Sequence, residues 1–193
     1  MSDNHPPLGP QSSSKELEPA PGAIHELAER TVDFVRHAVR GKRGGIVLDY
    51  RPETLPVLDH YLRGVPKEQP ATVALIAAAA GAYFGEVARR ALGGEWEQTG
   101  DPPESWTLVL PGGLRMVPGA LAQSAIRQEE DEACYDVPDE DREAVEVALE
   151  GREVPEDEYY SLAGRLEVLQ LIADVLATLR ERGQPEDDPT GGG

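Results

Sequence analysis

Apolar residues recur every three or four positions over much of this chain, and that spacing places them on one face of an α-helix. Proline or glycine stands at several ends of these stretches, as is usual at helix termini. The pattern predicts helices at 23–40, 52–63, 71–92, 119–128, 139–150 and 155–182. The last of them carries a wide apolar stripe from Leu162 to Leu179. A mostly helical protein follows from this pattern.

The predicted helix at 71–92 is the most apolar of the set. From Val73 to Gly85 the Tyr83 hydroxyl is its only polar side-chain group. A helix needs roughly 20 apolar residues to span a bilayer, and this shorter run is flanked by Lys67, Glu68, Glu86, Arg89 and Arg90. We therefore expect a buried central helix.

Three short segments are typical of β-strands rather than helices. They lie at 95–98, 106–110 and 114–117, and Pro111-Gly112-Gly113 forms a turn between the last two. Alternation places Trp106, Leu108 and Leu110 on one face. The predicted fold is α+β, mostly helical, with a three-stranded antiparallel meander whose apolar face packs on the central helix.

Composition divides the 193 residues into three parts. Residues 1–22 are rich in proline and serine and have few apolar side chains, which predicts a disordered N-terminal arm. Residues 184–193 have a similar composition and predict a flexible C-terminal tail. Between them, 23–183 is long enough to form a single domain with its own core.

The chain is strongly acidic, with 36 Asp and Glu against 18 Lys and Arg and a net charge of -18. Such a surface repels phosphate backbones and anionic membranes, so neither a nucleic acid nor a membrane is an expected partner. The N-terminus has no apolar signal segment, and the single cysteine, Cys134, favours a reducing compartment. We expect a cytoplasmic protein.

The acidic residues are concentrated between 129 and 158, where the sequence has fifteen Asp and Glu but two Arg, a net charge of -13. A concentrated field of one sign attracts a partner of the other sign and speeds its association. Solubility alone is the competing explanation for this segment. The candidate contacts to a basic protein are Glu129, Glu130, Asp131, Glu132, Asp139, Glu140 and Asp141.

No catalytic or metal constellation is evident in the sequence. The four histidines do not combine with a nucleophile and an orienting acid, and Cys134 lies among carboxylates that would raise the pKa of its thiol. The acidic run at 129–132 lacks the alternating ligands and central glycine of a calcium loop. We predict no catalytic residue, no metal and no cofactor.

A second candidate site surrounds Glu86, the acid that interrupts the apolar helix. It either pairs with Arg89, Arg90 or Arg115, or lies in a pocket where burial raises its pKa. If the two tryptophans frame an open cleft, a small ligand or a peptide would bind there. The candidate pocket residues are Tyr83, Glu86, Trp96, Trp106 and Arg115.

Four short motifs between about 46 and 118 resemble those of a group of small uncharacterised bacterial domains. The motifs are Leu48-Asp49-Tyr50-Arg51-Pro52-Glu53-Thr54-Leu55, Gly81-Ala82-Tyr83-Phe84-Gly85-Glu86-Val87, Leu92-Gly93-Gly94-Glu95-Trp96 and Leu108-Val109-Leu110-Pro111-Gly112-Gly113. The resemblance implies a bacterial cytoplasmic domain in which the helix that contains Gly85-Glu86 and the hairpin that contains the tryptophans belong together. It assigns no activity to any residue of this chain.

These observations favour a non-enzymatic, acidic protein-binding module, of adaptor or inhibitor type, that engages a basic partner surface. The alternative is a small-molecule-binding protein or a minor hydrolase with its pocket near Glu86 and the two tryptophans. The stripe from Leu162 to Leu179 could also mediate a homodimer.

Overall fold

Six α-helices and a small antiparallel sheet make up the part of the chain that the structure, a computed structural model, describes. The described residues are 21–38, 47–97, 102–129, 135–151, 155 and 158–183. The helices are α1 (Gly22–Ala38), α2 (Leu55–Arg63), α3 (Pro70–Leu92), α4 (Pro118–Arg127), α5 (Arg142–Leu149) and α6 (Leu162–Gly183). The predicted α+β class, mostly helical, is confirmed.

The sheet has four strands rather than the predicted three. Their bounds are β1 (Glu95–Glu97), β2 (Thr107–Val109), β3 (Arg115–Met116) and β4 (Tyr135–Asp136), and they pair in that order, each antiparallel to the next. The prediction missed β4 because two residues cannot show alternation. Its pairing with β3 places Tyr135 opposite Met116 and Asp136 opposite Arg115, so register supplies the pattern that the sequence lacks.

One face of this sheet packs on the helices. Trp96, Leu108 and Met116 form a cross-strand row on that face. Leu108 and Met116 are buried, and Leu110 just beyond β2 is buried too. The prediction that the apolar face of the meander lies against the core is therefore confirmed for these positions.

Helix α3 is the buried central helix that the sequence predicts. Every residue from Ala77 to Arg89 is buried, and α3 contacts α1 and α4. A Cβ atom at Gly81 would lie 2.5 Å from the Cα of Gly119, so the absence of a side chain lets α3 and α4 touch backbone to backbone. By length and hydropathy α3 could cross a membrane, but 78% of its most apolar window is buried in the described structure, as in the core helix of a soluble protein.

Helix α6 begins at Leu162, seven residues later than predicted. The prediction placed the first turn at Pro155 because of the acids that follow it, but the helix has other caps. The Ser161 Oγ accepts a hydrogen bond from the Gly164 amide at 3.0 Å. The buried Asp59 carboxylate, which belongs to α2, accepts the amides of Leu162 at 2.7 Å and Ala163 at 3.2 Å. An acid 103 residues away in sequence thus fixes the start of this helix.

The predicted N-terminal arm and C-terminal tail lie almost wholly outside the described residues. The single-domain interpretation of 23–183 stays a prediction. The apolar stripe of α6 packs inside the described structure, where Leu162, Leu166, Leu169, Ile172 and Leu176 are all buried. A homodimer through α6 likewise stays a prediction.

Candidate functional site

Helix α5 presents an acidic face to solvent. Its buried side is held by Val145, which is 4% exposed, and the helix packs against α6. The opposite face carries Glu143 and Glu146, and Glu150, the C-cap residue directly after the helix, follows at i+7 from Glu143; all three are exposed. Residues at this spacing lie side by side on a helix surface. The face therefore brings three carboxylates together.

An apolar residue lies in the middle of this acidic face. Val147 is 63% exposed, and its position at i+4 from Glu143 puts it between the three glutamates. Within the described part of the chain, Glu143, Glu146 and Glu150 form no ion pair, because Arg142 turns instead to Asp139 at 2.8 Å. We define these four residues, Glu143, Glu146, Val147 and Glu150, as the α5 face.

The residues predicted as partner contacts have different positions in the structure. Glu130, Asp131 and Glu132 lie outside the described residues. Glu129 and Glu140 are exposed, and Asp139 is exposed but pairs with Arg142.

Asp141 is not placed as a partner contact needs to be. Its side chain is 7% exposed, and its two carboxylate oxygens accept hydrogen bonds from Arg180 at 3.2 and 2.6 Å. The hydrogen bond to Asp141 raises the pKa of Arg180 above its already high ordinary value. This bidentate pair joins the segment before α5 to the end of α6, which is a structural role.

Glu86 is buried and fully engaged by its neighbours. It receives hydrogen bonds from Arg89 at 2.8 and 3.1 Å and from the Trp96 indole at 2.7 Å. Arg90 lies 3.9 Å away. Of the two alternatives that the sequence leaves open for Glu86, pairing with arginine is the one in the structure. Its carboxylate is bound on both oxygens and is not placed to serve as an acid or base.

Arg115 does not join this group. Its side chain lies on the outer face of the sheet, where it forms an ion pair with Glu97 on β1. Asp136 is its register partner on β4. The prediction grouped Arg115 with Glu86 and the two tryptophans as a possible partner of that acid, but strand alternation turns its side chain to the opposite side from Trp96.

The two tryptophans border a shallow groove above α3. Gly81, Ala82, Trp96, Pro103, Trp106, Pro118 and Gly119 line it. Its empty space is about 170 Å³, part of which is open solvent, and it has no room for a water molecule. Ligand pockets are usually about 300–1,000 Å³, so a small molecule would have little surface to bury here.

Tyr83, the remaining pocket candidate, is fully buried. It contacts the loop around Tyr50, which the sequence did not indicate as part of a site. Its hydroxyl oxygen accepts the Tyr50 amide at 2.9 Å and lies 3.1 Å from the Thr54 hydroxyl. Tyr50 has a φ of 63°, which is rare outside glycine. Its ring stacks on Tyr83 at 4.8 Å, with the Arg90 guanidinium 4.2 Å from its centre. These contacts hold an unfavourable backbone conformation in place.

The Tyr50 hydroxyl extends this network to α1 by donating a hydrogen bond to Glu29. Burial, and then that hydrogen bond, raise the pKa of Tyr50 far above its ordinary value, so the phenol stays protonated. Nothing in the sequence indicates this arrangement beyond Tyr50 itself, which belongs to the motif at 48–55. Every group in it has a partner, and the network is structural.

Among the residues that the structure describes, no three His, Cys, Asp or Glu side chains form a group that could hold a metal ion. No protein-family model, no curated protein and no solved structure matches this chain. The resemblance to small bacterial domains therefore stays a prediction, and function has to be argued from the sites above.

Proposed function

We propose that this protein is a non-enzymatic binding module, of adaptor or inhibitor type, that engages a basic protein through its acidic surface. The observation that carries the proposal is the α5 face, where Glu143, Glu146 and Glu150 are exposed around Val147 and form no ion pair with any residue that the structure describes. Unpaired carboxylates are available to a partner, whereas paired ones would have to be released first.

The arrangement of these acids costs the isolated protein stability. Glu146 and Glu150 are like charges at i, i+4, which are destabilising by roughly 0.2–0.5 kcal/mol on a helix. Both lie at the C-terminal end of α5, where the helix dipole favours cations, and the last turn has no basic residue. A basic partner would remove both penalties, so the pattern is better suited to binding than to folding alone.

The exposed valine gives this face a hydrophobic centre and an acidic rim. Interfaces commonly have an apolar core with polar residues around it. Val147, which is 63% exposed, would supply the apolar contact of such an interface. The partner should therefore present an apolar side chain among lysines or arginines.

Affinity capture from a lysate of the source organism, at low and high salt, tests the proposal. The bait would be the full chain, the variant Glu143→Gln/Glu146→Gln/Glu150→Gln, and a control variant, Glu167→Gln/Asp174→Asn/Glu181→Gln. The control removes the same number of charges from exposed positions spaced along α6.

A protein captured by the full chain and the α6 control, but lost with the α5 variant and at high salt, would support the proposal. Equal capture by all three baits, or capture that resists salt, would contradict it. Because both variants change net charge equally, a general effect of charge cannot mimic the expected result.

The alternative, a small-molecule or hydrolytic site near Glu86, has less support. Glu86 is bound by Arg89 and Trp96, and the adjoining groove has about 170 Å³ of open space. None of the seven described residues that line the groove carries an acid, a base or a nucleophile.

A further inference from the structure

The segment from Val137 to Glu150, which contains α5, buries little of itself against the rest of the described structure. Val145 is the only buried residue among the eight of α5, and Val137 and Leu149 are partly buried against the core. Outside its own segment, α5 packs mainly on α6. Regions with few buried apolar contacts open before the rest of a protein unfolds. We define residues 137–150 as the α5 strap.

One ion pair fastens the strap to the end of α6. Arg180 donates hydrogen bonds to both carboxylate oxygens of Asp141, at 3.2 and 2.6 Å, and another to the carbonyl oxygen of Gly112 at 3.4 Å. The Asp141 side chain is 7% exposed, whereas that of Arg180 is 46% exposed. A single guanidinium thus joins the strap, the turn at 111–113 and α6, and solvent reaches it from the arginine side.

The two ends of the strap differ in how they are held. Tyr135 and Asp136, just before it, pair with β3 in the sheet, so the strap starts from a fixed point. Gly151, just after it, has a φ of 78°, and a Cβ atom there would meet nothing within 4 Å. Glycine adopts such backbone conformations readily. The strap can therefore move about its C-terminal end while β4 stays in place.

The charge of the strap opposes its closed position. It contains six Asp and Glu but one Arg, a net charge of -5. Among the ion pairs of the described residues, Asp141–Arg180 is the only one that joins an acid of the strap to a cation outside it. An isolated helix of eight residues is unstable in water. Once separated from α6, α5 would therefore lose its backbone hydrogen bonds.

We propose that the α5 strap is a releasable element, which opens from α6 as one unit when the Asp141–Arg180 pair is broken, while α3 and the core stay folded. The closed strap presents the α5 face to a partner. The open strap also presents Val145 and uncovers the side of α6 on which α5 packs, so the two states offer different surfaces. This opening does not depend on what binds the α5 face, and its failure would leave the proposed function unaffected.

Hydrogen exchange of backbone amides, followed in nitrogen–proton correlation spectra of full-length proteins, tests the proposal. The reporters are the amides of 146–150, the last of which donates to the Glu146 carbonyl oxygen at 2.9 Å, and the internal reference is the set of amides in α3. The proteins are the unmodified chain, Arg180→Gln and the control Arg182→Gln. Arg182 is exposed and forms no ion pair within the described part of the chain, so both variants remove one charge from the same end of α6.

In the unmodified chain, the α5 amides should exchange at least about 100-fold faster than those of α3, because they need only local opening. Arg180→Gln should speed exchange in α5 by a further factor of about ten or more, as expected for the loss of a charge-assisted hydrogen bond to a buried acid. It should leave α3 unchanged, and Arg182→Gln should change neither helix.

Three results would overturn the proposal. Exchange in α5 that is as slow as in α3 would mean that the strap opens only when the whole protein unfolds. Equal acceleration of α5 and α3 in Arg180→Gln would show a general loss of stability. No acceleration of α5 in Arg180→Gln, or the same acceleration in Arg182→Gln, would show that the pair with Asp141 does not hold the strap closed.

Discussion

Replacing Gly85 with alanine is a sharp test of how the core is built, because two effects of opposite sign compete there. Gly85 lies inside α3, where alanine is the better helix former by about 1 kcal/mol. The new Cβ atom, however, would lie 2.3 Å from two ring carbons of Trp96. No real contact is that short, so the indole has to move.

The magnitude follows from what the indole loses. Overpacking a core costs about 1–3 kcal/mol, and the hydrogen bond from Trp96 to the Glu86 carboxylate is of a kind that contributes about 1.5–3 kcal/mol. After subtraction of the propensity gain, Gly85→Ala should destabilise the protein by about 1.5–5 kcal/mol.

Urea unfolding followed by circular dichroism and by tryptophan emission measures this change. The control is Gly22→Ala, at the start of α1, where a Cβ atom would meet nothing within 4 Å. That variant should be unchanged or slightly more stable. If Gly85→Ala is as stable as the unmodified chain or more so, the close packing of Trp96 on α3 is wrong.

Three further predictions concern acids with different surroundings. Burial raises the pKa of Asp59 above its ordinary value, so the folded state binds the proton more tightly than the unfolded state. The free energy of unfolding of the unmodified protein, relative to that of Asp59→Asn, should therefore fall as the pH rises from about 4 to about 7. A difference between the two proteins that stays the same at every pH in urea titrations would refute this. Arg180→Ala should destabilise more than Asp141→Ala in thermal unfolding, because it leaves a buried carboxylate unpaired, and equal losses would contradict that asymmetry. Neutralising Glu146 and Glu150 to Gln should raise the free energy of unfolding by about 0.5 kcal/mol at low salt, and a loss of stability would refute the repulsion argument.

The sequence predicts the elements whose residues form long periodic patterns. Helix α3 and the inner face of β2 follow from the apolar run and from the alternation around Leu108. The fourth strand could not be predicted, since Tyr135 and Asp136 acquire their roles from pairing with β3. The start of α6 was misplaced for a related reason, because Asp59 acts across 103 residues.

The candidate sites also divide into features that local sequence predicts and features that depend on tertiary contacts. Local charge predicts an acidic surface, but only the structure separates the exposed Glu140 from the buried Asp141, its neighbour in sequence. The pairing of Glu86 was one of two outcomes that the residues left open. The exposure of Val147 depends on which side of α5 packs on α6, and the eight residues of that helix do not determine it alone.

The most direct measurement of the central claim is the affinity of the captured partner across a range of salt concentrations. It compares the unmodified chain with Glu143→Gln/Glu146→Gln/Glu150→Gln. The account predicts that the affinity of the unmodified chain falls steeply with salt, and that the variant binds more weakly with a flatter salt dependence. Equal affinity and an equal salt dependence would contradict it, because the α5 face would then play no part in binding.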